Sequence, residues 1–306
     1  MEFQLKKENN CIHVSMIVDK NEVAKAICYF GNTPEENGER IGCIGEFTST
    51  TIENGVLLLQ ECEKVLKKQN IHHVIAPMNG NTWKKYRTLK YTDGSNSFLL
   101  ENVNPQSDNQ IFQMAGYQEL HTYTSTRGMI KDAYHSDILK LAEDGMQKEN
   151  ISIRKFQKNK YLDDLKKIFS VSKKSFIRNP FYTPIAEEEF IKQYESYISM
   201  VDEDLILIAE KEGKEIGFVF CIPNFNELKE IGRVKTLILK TIAVLPEYEN
   251  MAIGNVLLDK ISKVAIAKGF EEWIFAFMYR DNTSQKMAKR NNTHVIREYA
   301  IYGKEI

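Results

Sequence analysis

Little in this 306-residue chain points to redox, metal or membrane chemistry. Its five cysteines, Cys11, Cys28, Cys43, Cys62 and Cys221, are scattered and form no C-x-x-C pair, so neither a disulfide framework nor a zinc site is expected. No apolar run approaches the ~20 residues that span a bilayer. The opening MEFQLKKENN is too polar for a secretory signal, and the reading is a cytoplasmic protein with no membrane partner. Charge of one sign is also missing: 41 basic residues stand against 42 acidic ones, which argues against a nucleic-acid partner. Gly42 and Gly45 fall short of a dinucleotide fingerprint, and there is no Walker sequence. What remains, 42% hydrophobic and 27% charged, is ordinary for a globular protein. The length allows two domains of ~100–200 residues each.

What the chain does have is an echo of itself at a spacing of 200 residues. Val56-Leu57-Leu58, Lys68, Ala76 and Met78 return as Val256-Leu257-Leu258, Lys268, Ala276 and Met278, and Asn81-Thr82 returns one residue out of step as Asn282-Thr283. An echo of this length implies two copies of one supersecondary unit. Polar, charged residues from Asp132 to Asn150 separate them. The expected organisation is an incomplete, degenerate unit over residues 1–130, a linker over 131–150 and a complete unit over 151–306.

In the second unit, alternating or continuous apolar runs predict strands at Ile151–Phe156, Leu205–Glu210, Glu215–Ile222, Val234–Val244, Glu272–Met278 and His294–Tyr302. Helical spacing predicts helices at Tyr161–Phe176, Ile185–Met200, Gly254–Lys268 and Ser284–Arg290. The first unit reads as strands near Cys11–Asp19, Ala24–Phe30, Arg40–Phe47, His72–Ala76 and Tyr117–Thr126, with one helix at Val56–Lys68. It has no counterpart of the two early helices.

The segment with chemistry in it is Ala243-Val244-Leu245-Pro246-Glu247-Tyr248-Glu249-Asn250-Met251-Ala252-Ile253-Gly254. A strand ends at a proline, and a tight turn carries small residues two apart into a helix. Small residues let a ligand approach the backbone. First-turn amides lack intrahelical partners, and with the helix dipole they attract anions such as phosphate.

This order of strand, turn, helix, strand, Arg280-Asp281-Asn282, short helix and final strand resembles the GCN5-related N-acetyltransferase family in its two-copy form. The resemblance covers residues 151–306 well and 11–126 weakly. It implies an α/β (α+β) fold with mixed central sheets flanked by helices. It also implies direct transfer of an acetyl group from acetyl-coenzyme A to a primary amine of a small molecule or peptide. On that pattern Asn250, Met251, Ala252, Ile253, Gly254 and Asn255 would hold the pyrophosphate. Ala243 and Val244 would pair with the pantetheine arm, Asn282 would touch the cofactor, and Phe181 and Tyr182 would wall the acceptor site. Tyr302, Tyr279 and Glu210 are the candidates for proton transfer, with Tyr299 a further tyrosine near the expected arm.

Departures stand beside the match. Glu249 replaces the family's Arg or Gln, Ala288 its common tyrosine and Phe277 its occasional glutamate. These leave open a non-catalytic acyl-coenzyme A binder or another acyl transferase, including an aminoacyl one. In the first unit Ile52 and Asn54 occupy the two small positions, so no coenzyme A is expected there.

Overall fold

The computed structural model describes residues 1–195 and 197–306. Three antiparallel strands open it: β1 (Glu2–Glu8), β2 (Cys11–Val18) and β3 (Asn21–Tyr29). In β2, buried Ile12, Val14 and Met16 alternate with half-exposed neighbours, so one face of the pleat lies on the core. A two-residue ribbon, β4 (Glu35–Glu36) with β5 (Glu39–Arg40), leads into β6 (Gly42–Ser49). Helix α1 (Ile52–Lys67) starts where the Thr51 hydroxyl accepts the Asn54 N–H, a normal N-cap. Strand β7 (His73–Ala76) then runs parallel to β6. Next come β8 (Thr88–Thr92), α2 (Ser107–Met114) and β9 (Gln118–Met129). The stretch expected to be a linker holds a helix, α3 (Asp137–Lys148).

The second half repeats the plan with more helix. It runs β10 (Ile151–Lys155), α4 (Tyr161–Ser175), α5 (Glu187–Glu195), β11 (Ile206–Lys211), β12 (Lys214–Pro223), α6 (Glu227–Ile231) and β13 (Thr236–Val244). It ends with α7 (Ile253–Ala267), β14 (Glu272–Tyr279), α8 (Thr283–Arg290) and β15 (His294–Glu305). β13 and β14 are parallel, as β6 and β7 are, with α7 and α1 as the crossovers. The 200-residue echo is therefore one βαβ unit used twice. Among the described residues no helix is long and apolar enough to cross a membrane.

One sheet contains nearly every strand, in the order β1-β2-β3-β6-β7-β15-β9-β14-β13-β12-β11-β10, with β8 beside β15. Read from either end this order is the same plan, and the two halves exchange their last strands at its centre. β9 pairs with β14, and β15 pairs with β7 through Tyr302↔Ala76 to Glu305↔His73. β9 and β15 face each other from Arg127↔His294 to Gln118↔Gly303. Residues 151–306 are thus not a closed unit: their sheet is completed from 118–129, and their own last strand completes the other half. Alternating strands such as these name a buried face but no partner.

Candidate functional site

β13 and β14 stay paired only from Thr236–Leu239 against Glu272–Phe275. Beyond that, β13 follows β12 (Phe218↔Ala243, Gly217↔Val244) while β14 follows β9 (Met278↔Thr124, Tyr279↔Tyr123). The register of β14 slips between Phe275 and Met278, where Phe277 has φ +56°. The two strands open into a cleft of about 550 Å³, with Leu239–Ile242 on one wall and Phe275–Tyr279 on the other. The first half supplies the third wall through Trp83, Tyr86, Arg87 and Tyr123. The Trp83 indole N–H donates to the Thr183 carbonyl at 2.8 Å and its ring meets Phe176, Tyr182 and Phe190 edge-on or tilted. The two halves therefore build one cleft together.

At the far end of β13, Leu245-Pro246 ends the strand and a 3₁₀ turn (Pro246–Met251) follows. Ala252 takes a left-handed conformation, φ 54°, at a cost of roughly 1–2 kcal/mol for a residue with a Cβ. α7 begins at Ile253, and the Val256 N–H bonds to the Ala252 carbonyl at 3.1 Å. Ahead of it the amides of Ile253, Gly254 and Asn255 are those every helix start leaves open. A Cβ on Gly254 would meet Met287, Ile242 and Val244 only at 3.6–3.8 Å, ordinary contact distances. Glycine at this position is not demanded by the protein's own packing. Glu249 and Asn250 are exposed, Met251 is half-buried, and Asn255 borders a small recess with Tyr134 and Asp259. Ala243 is buried, and the Val244 carbonyl already accepts the Ser175 hydroxyl at 3.1 Å.

Of the other expected residues, Tyr279, Asn282 and Tyr182 line the cleft. Phe181 stands one layer back, its ring 5.1 Å from that of His121. The Tyr279 hydroxyl is 3.3 Å from His121 Nδ1. Burial and the Asp281 carboxylate push the Tyr279 hydroxyl up, so it holds its proton at neutral pH. Burial holds His121 below its ordinary range despite the Asp281 and Glu36 charges, so the ring is neutral there.

Tyr302 and Glu210 are corrected. Tyr302 is fully buried in the first half's core, stacked on Phe112 at 5.4 Å with its hydroxyl donating to Asn109 at 3.0 Å. The strand exchange carries it there. Tyr299 is also fully buried, its hydroxyl donating to Glu101 at 2.8 Å. Glu210 sits on β11, two strands from β13, held by Arg154 at 3.0 Å and Lys167 at 2.5 Å. Burial alone would raise its carboxyl, but the Arg154 and Lys167 hydrogen bonds and charges win and hold it below the usual range. It is a structural ion-pair residue. A depressed carboxyl contributes stability above the unfolded pKa of ~4.3 and loses it as pH falls through the folded value. Glu210→Gln should therefore cost about 1–3 kcal/mol at pH 7, the range for leaving hydrogen-bonding partners unsatisfied. The gap in Tm to the unaltered chain should close towards pH 3.

Trp83 and Arg87, which line the cleft, and His121, which touches the cleft's Tyr279, are not legible as site residues because the first half supplies them. The matching opening in the first half is filled by protein. The Met78 N–H bonds to the Ile44 carbonyl at 2.8 Å, the Asn79 amide exchanges hydrogen bonds with Glu46, and Asn79 leaves no room for a Cβ at Gly45.

Comparison with known proteins agrees with this geometry. The model of the family described as Acetyltransferase (GNAT) family matches residues 168–292. An uncharacterized N-acetyltransferase of Archaeoglobus fulgidus is 30% identical over 96 residues, 29% of this chain and 62% of that protein. Protein YghO of Escherichia coli is 21% identical over 199 residues, 57% of this chain and 51% of its own. The chain thus spans less than two thirds of either relative. A GCN5-related N-acetyltransferase structure from Sphaerobacter thermophilus aligns over 97% of this chain and 80% of its own, with TM-score 0.55 and 14% identity. A tandem GNAT protein from the clavulanic acid biosynthesis pathway aligns over 96% and 82%, with TM-score 0.54 and 9% identity. Residues 168–292 match the model of the acetyltransferase (GNAT) family, and the chain as a whole has the two-copy fold seen in a tandem GNAT protein.

Proposed function

We propose that the chain transfers an acetyl group from acetyl-coenzyme A directly to a primary amine of a small molecule or peptide. The observation that carries this reading is the open β13–β14 splay beside a helix start whose glycine is not required by the protein's own packing. Open amides of Ile253, Gly254 and Asn255 would hold the diphosphate. Ala243, Val244 and Asn282 flank the route of the thioester arm, and the family's general chemistry is acyl transfer. Acetyl-coenzyme A supplies the activated acetyl thioester.

The chain must supply proton handling. An alkyl ammonium with pKa ~10.4 is only ~10⁻³ neutral at pH 7, a handicap of roughly 4–5 kcal/mol. His121, neutral and next to the cleft tyrosine, is the group able to accept a proton. Tyr279 is the protonated group able to donate one to a departing thiolate and recover it from His121. Calorimetry with acetyl-coenzyme A and thiol release over an amine panel test the reading. Saturable binding and amine-dependent release support it, and absence of saturable binding defeats it. Tyr279→Phe should lower kcat by about 10²-fold and leave acetyl-coenzyme A affinity unchanged.

A further inference from the structure

Resting on that reading, we propose that the acceptor amine carries a carboxylate and that Arg87 is the residue that seats it. The chain is nearly neutral overall, yet the charged residues lining the cleft are Lys84, Lys85, Arg87 and Lys240, with no Asp or Glu among the described ones. Lys84 and Lys85 are exposed at the rim, and the Lys240 ammonium already donates to the Tyr194 hydroxyl at 2.9 Å. Arg87 is different. Its guanidinium carbon lies 4.1, 4.5 and 4.7 Å from the ring centres of Tyr86, Phe277 and Tyr123. Three rings fix a plane in a way that a mobile surface arginine lacks. One guanidinium N–H donates to the Phe277 carbonyl at 3.3 Å. Its backbone adopts φ +67°, held by an N–H bond to the Pro77 carbonyl at 2.9 Å.

Elsewhere the chain pairs its packed arginines. Arg297 has Asp93 and Glu101, Arg154 has Asp164 and Glu210, and Arg127 has Glu272. Among the described residues no carboxylate lies within 4.0 Å of Arg87. A guanidinium has five donors in a planar fork, and a carboxylate matches that fork with two parallel bonds. The diphosphate of the cofactor belongs elsewhere, since no residue of 246–255 lines this cleft.

The test uses the full chain and matched triplets: L-amino acids or short peptides, their C-terminal amides, and the corresponding decarboxylated amines. Calorimetry without acetyl-coenzyme A and kcat/KM with it are both read. The acid should be preferred over the amide by about 10²-fold in at least one triplet. Arg87→Gln should bring that ratio to about one, and Arg87→Lys should keep part of it. Acetyl-coenzyme A affinity should stay constant throughout. Equal acid and amide binding across the panel overturns the proposal, as does a preference that survives Arg87→Gln. Weakened acetyl-coenzyme A binding in Arg87→Gln would also overturn it by assigning Arg87 to the cofactor's phosphates. If circular dichroism shows Arg87→Gln unfolded, the Arg87→Lys ratio decides. Carboxylate binding without any acetyl-coenzyme A binding would sink the acetyl-transfer reading and leave this one standing.

Discussion

Gly254→Val should weaken acetyl-coenzyme A binding by at least about 100-fold while the chain stays folded. The reasoning has two halves. On the protein side, position 254 faces no crowding: the nearest atoms to an added Cβ are Met287 Cε at 3.6 Å and the Ile242 and Val244 methyls at 3.8 Å. The residue is helical, so it needs no left-handed conformation. Alanine there should even raise stability by up to about 1 kcal/mol, because glycine is a poor helix residue. On the ligand side, a branched side chain over the first turn of α7 stands between a phosphate and the amides of Ile253–Asn255. Each charge-assisted bond lost costs about 1.5–3 kcal/mol, and two of them amount to a factor of 10² or more in Kd. The series Gly, Ala, Val at 254 should therefore show affinity falling while Tm holds or rises at Ala. Calorimetry and a thermal melt on the same samples read both. Equal affinity in Gly254→Val would move the diphosphate away from this turn.

The turn behind that prediction is legible in the sequence because it is local. Pro246, Ala252 and Gly254 are neighbours in the chain, and a helix start needs only its own residues. The same holds for most of the strands and helices of the second half, whose bounds shift by a residue or two at most ends. Non-local features were not legible. β9 and β15 carry the alternation of ordinary strands, and nothing in alternation says that each pairs in the other half. Tyr302 was therefore placed near the thioester when it packs on Phe112 in the opposite core. α3 reads as a linker in the sequence because the stretch is polar and charged; the helix it forms buries Leu139 and Met146 while Ile138 and Leu141 stay exposed. Glu210 reads as a candidate for proton transfer because its partners Arg154 and Lys167 come from a neighbouring strand and a helix and are not visible beside it in the sequence. Arg87 and His121 lie about 190 and 160 residues from the β14 atoms they touch. Only the folded sheet brings Arg87 to the cleft and His121 against Tyr279.

The seam that makes the shared cleft also sets the second large effect, at Arg297. This side chain on β15 is 2% exposed and Glu101 beneath it is 1% exposed. Arg297 Nε is 2.8 Å from Glu101, and Nη1 is 2.8 Å from Asp93. The remaining guanidinium donors reach the carbonyls of Ser95, Asn96 and Ile296 at 2.7–2.9 Å. Glu101 also accepts the Tyr299 hydroxyl. One guanidinium thus ties the segment 93–101 to the exchanged strand, and Leu100 of that stretch and the adjoining Asn102 line the cleft. Arg297→Leu strands the Glu101 carboxylate in the interior with the Tyr299 hydroxyl and the Phe98 N–H as its remaining partners. Removing one member of a buried pair typically costs about 3–5 kcal/mol, or a fall in Tm of roughly 10 °C for a chain of this size. Arg297→Leu combined with Glu101→Leu should recover a large part of that loss, because it removes the uncompensated charge along with the pair. Thermal melts of the two single variants and the double one close the cycle. If Arg297→Leu alone kept Tm within a degree or two, the ion pair would not be what fixes this seam. The apolar cluster of Ile75, Met78, Tyr123, Tyr299 and Ile301 would then have to hold both the exchanged strands and the third wall of the cleft.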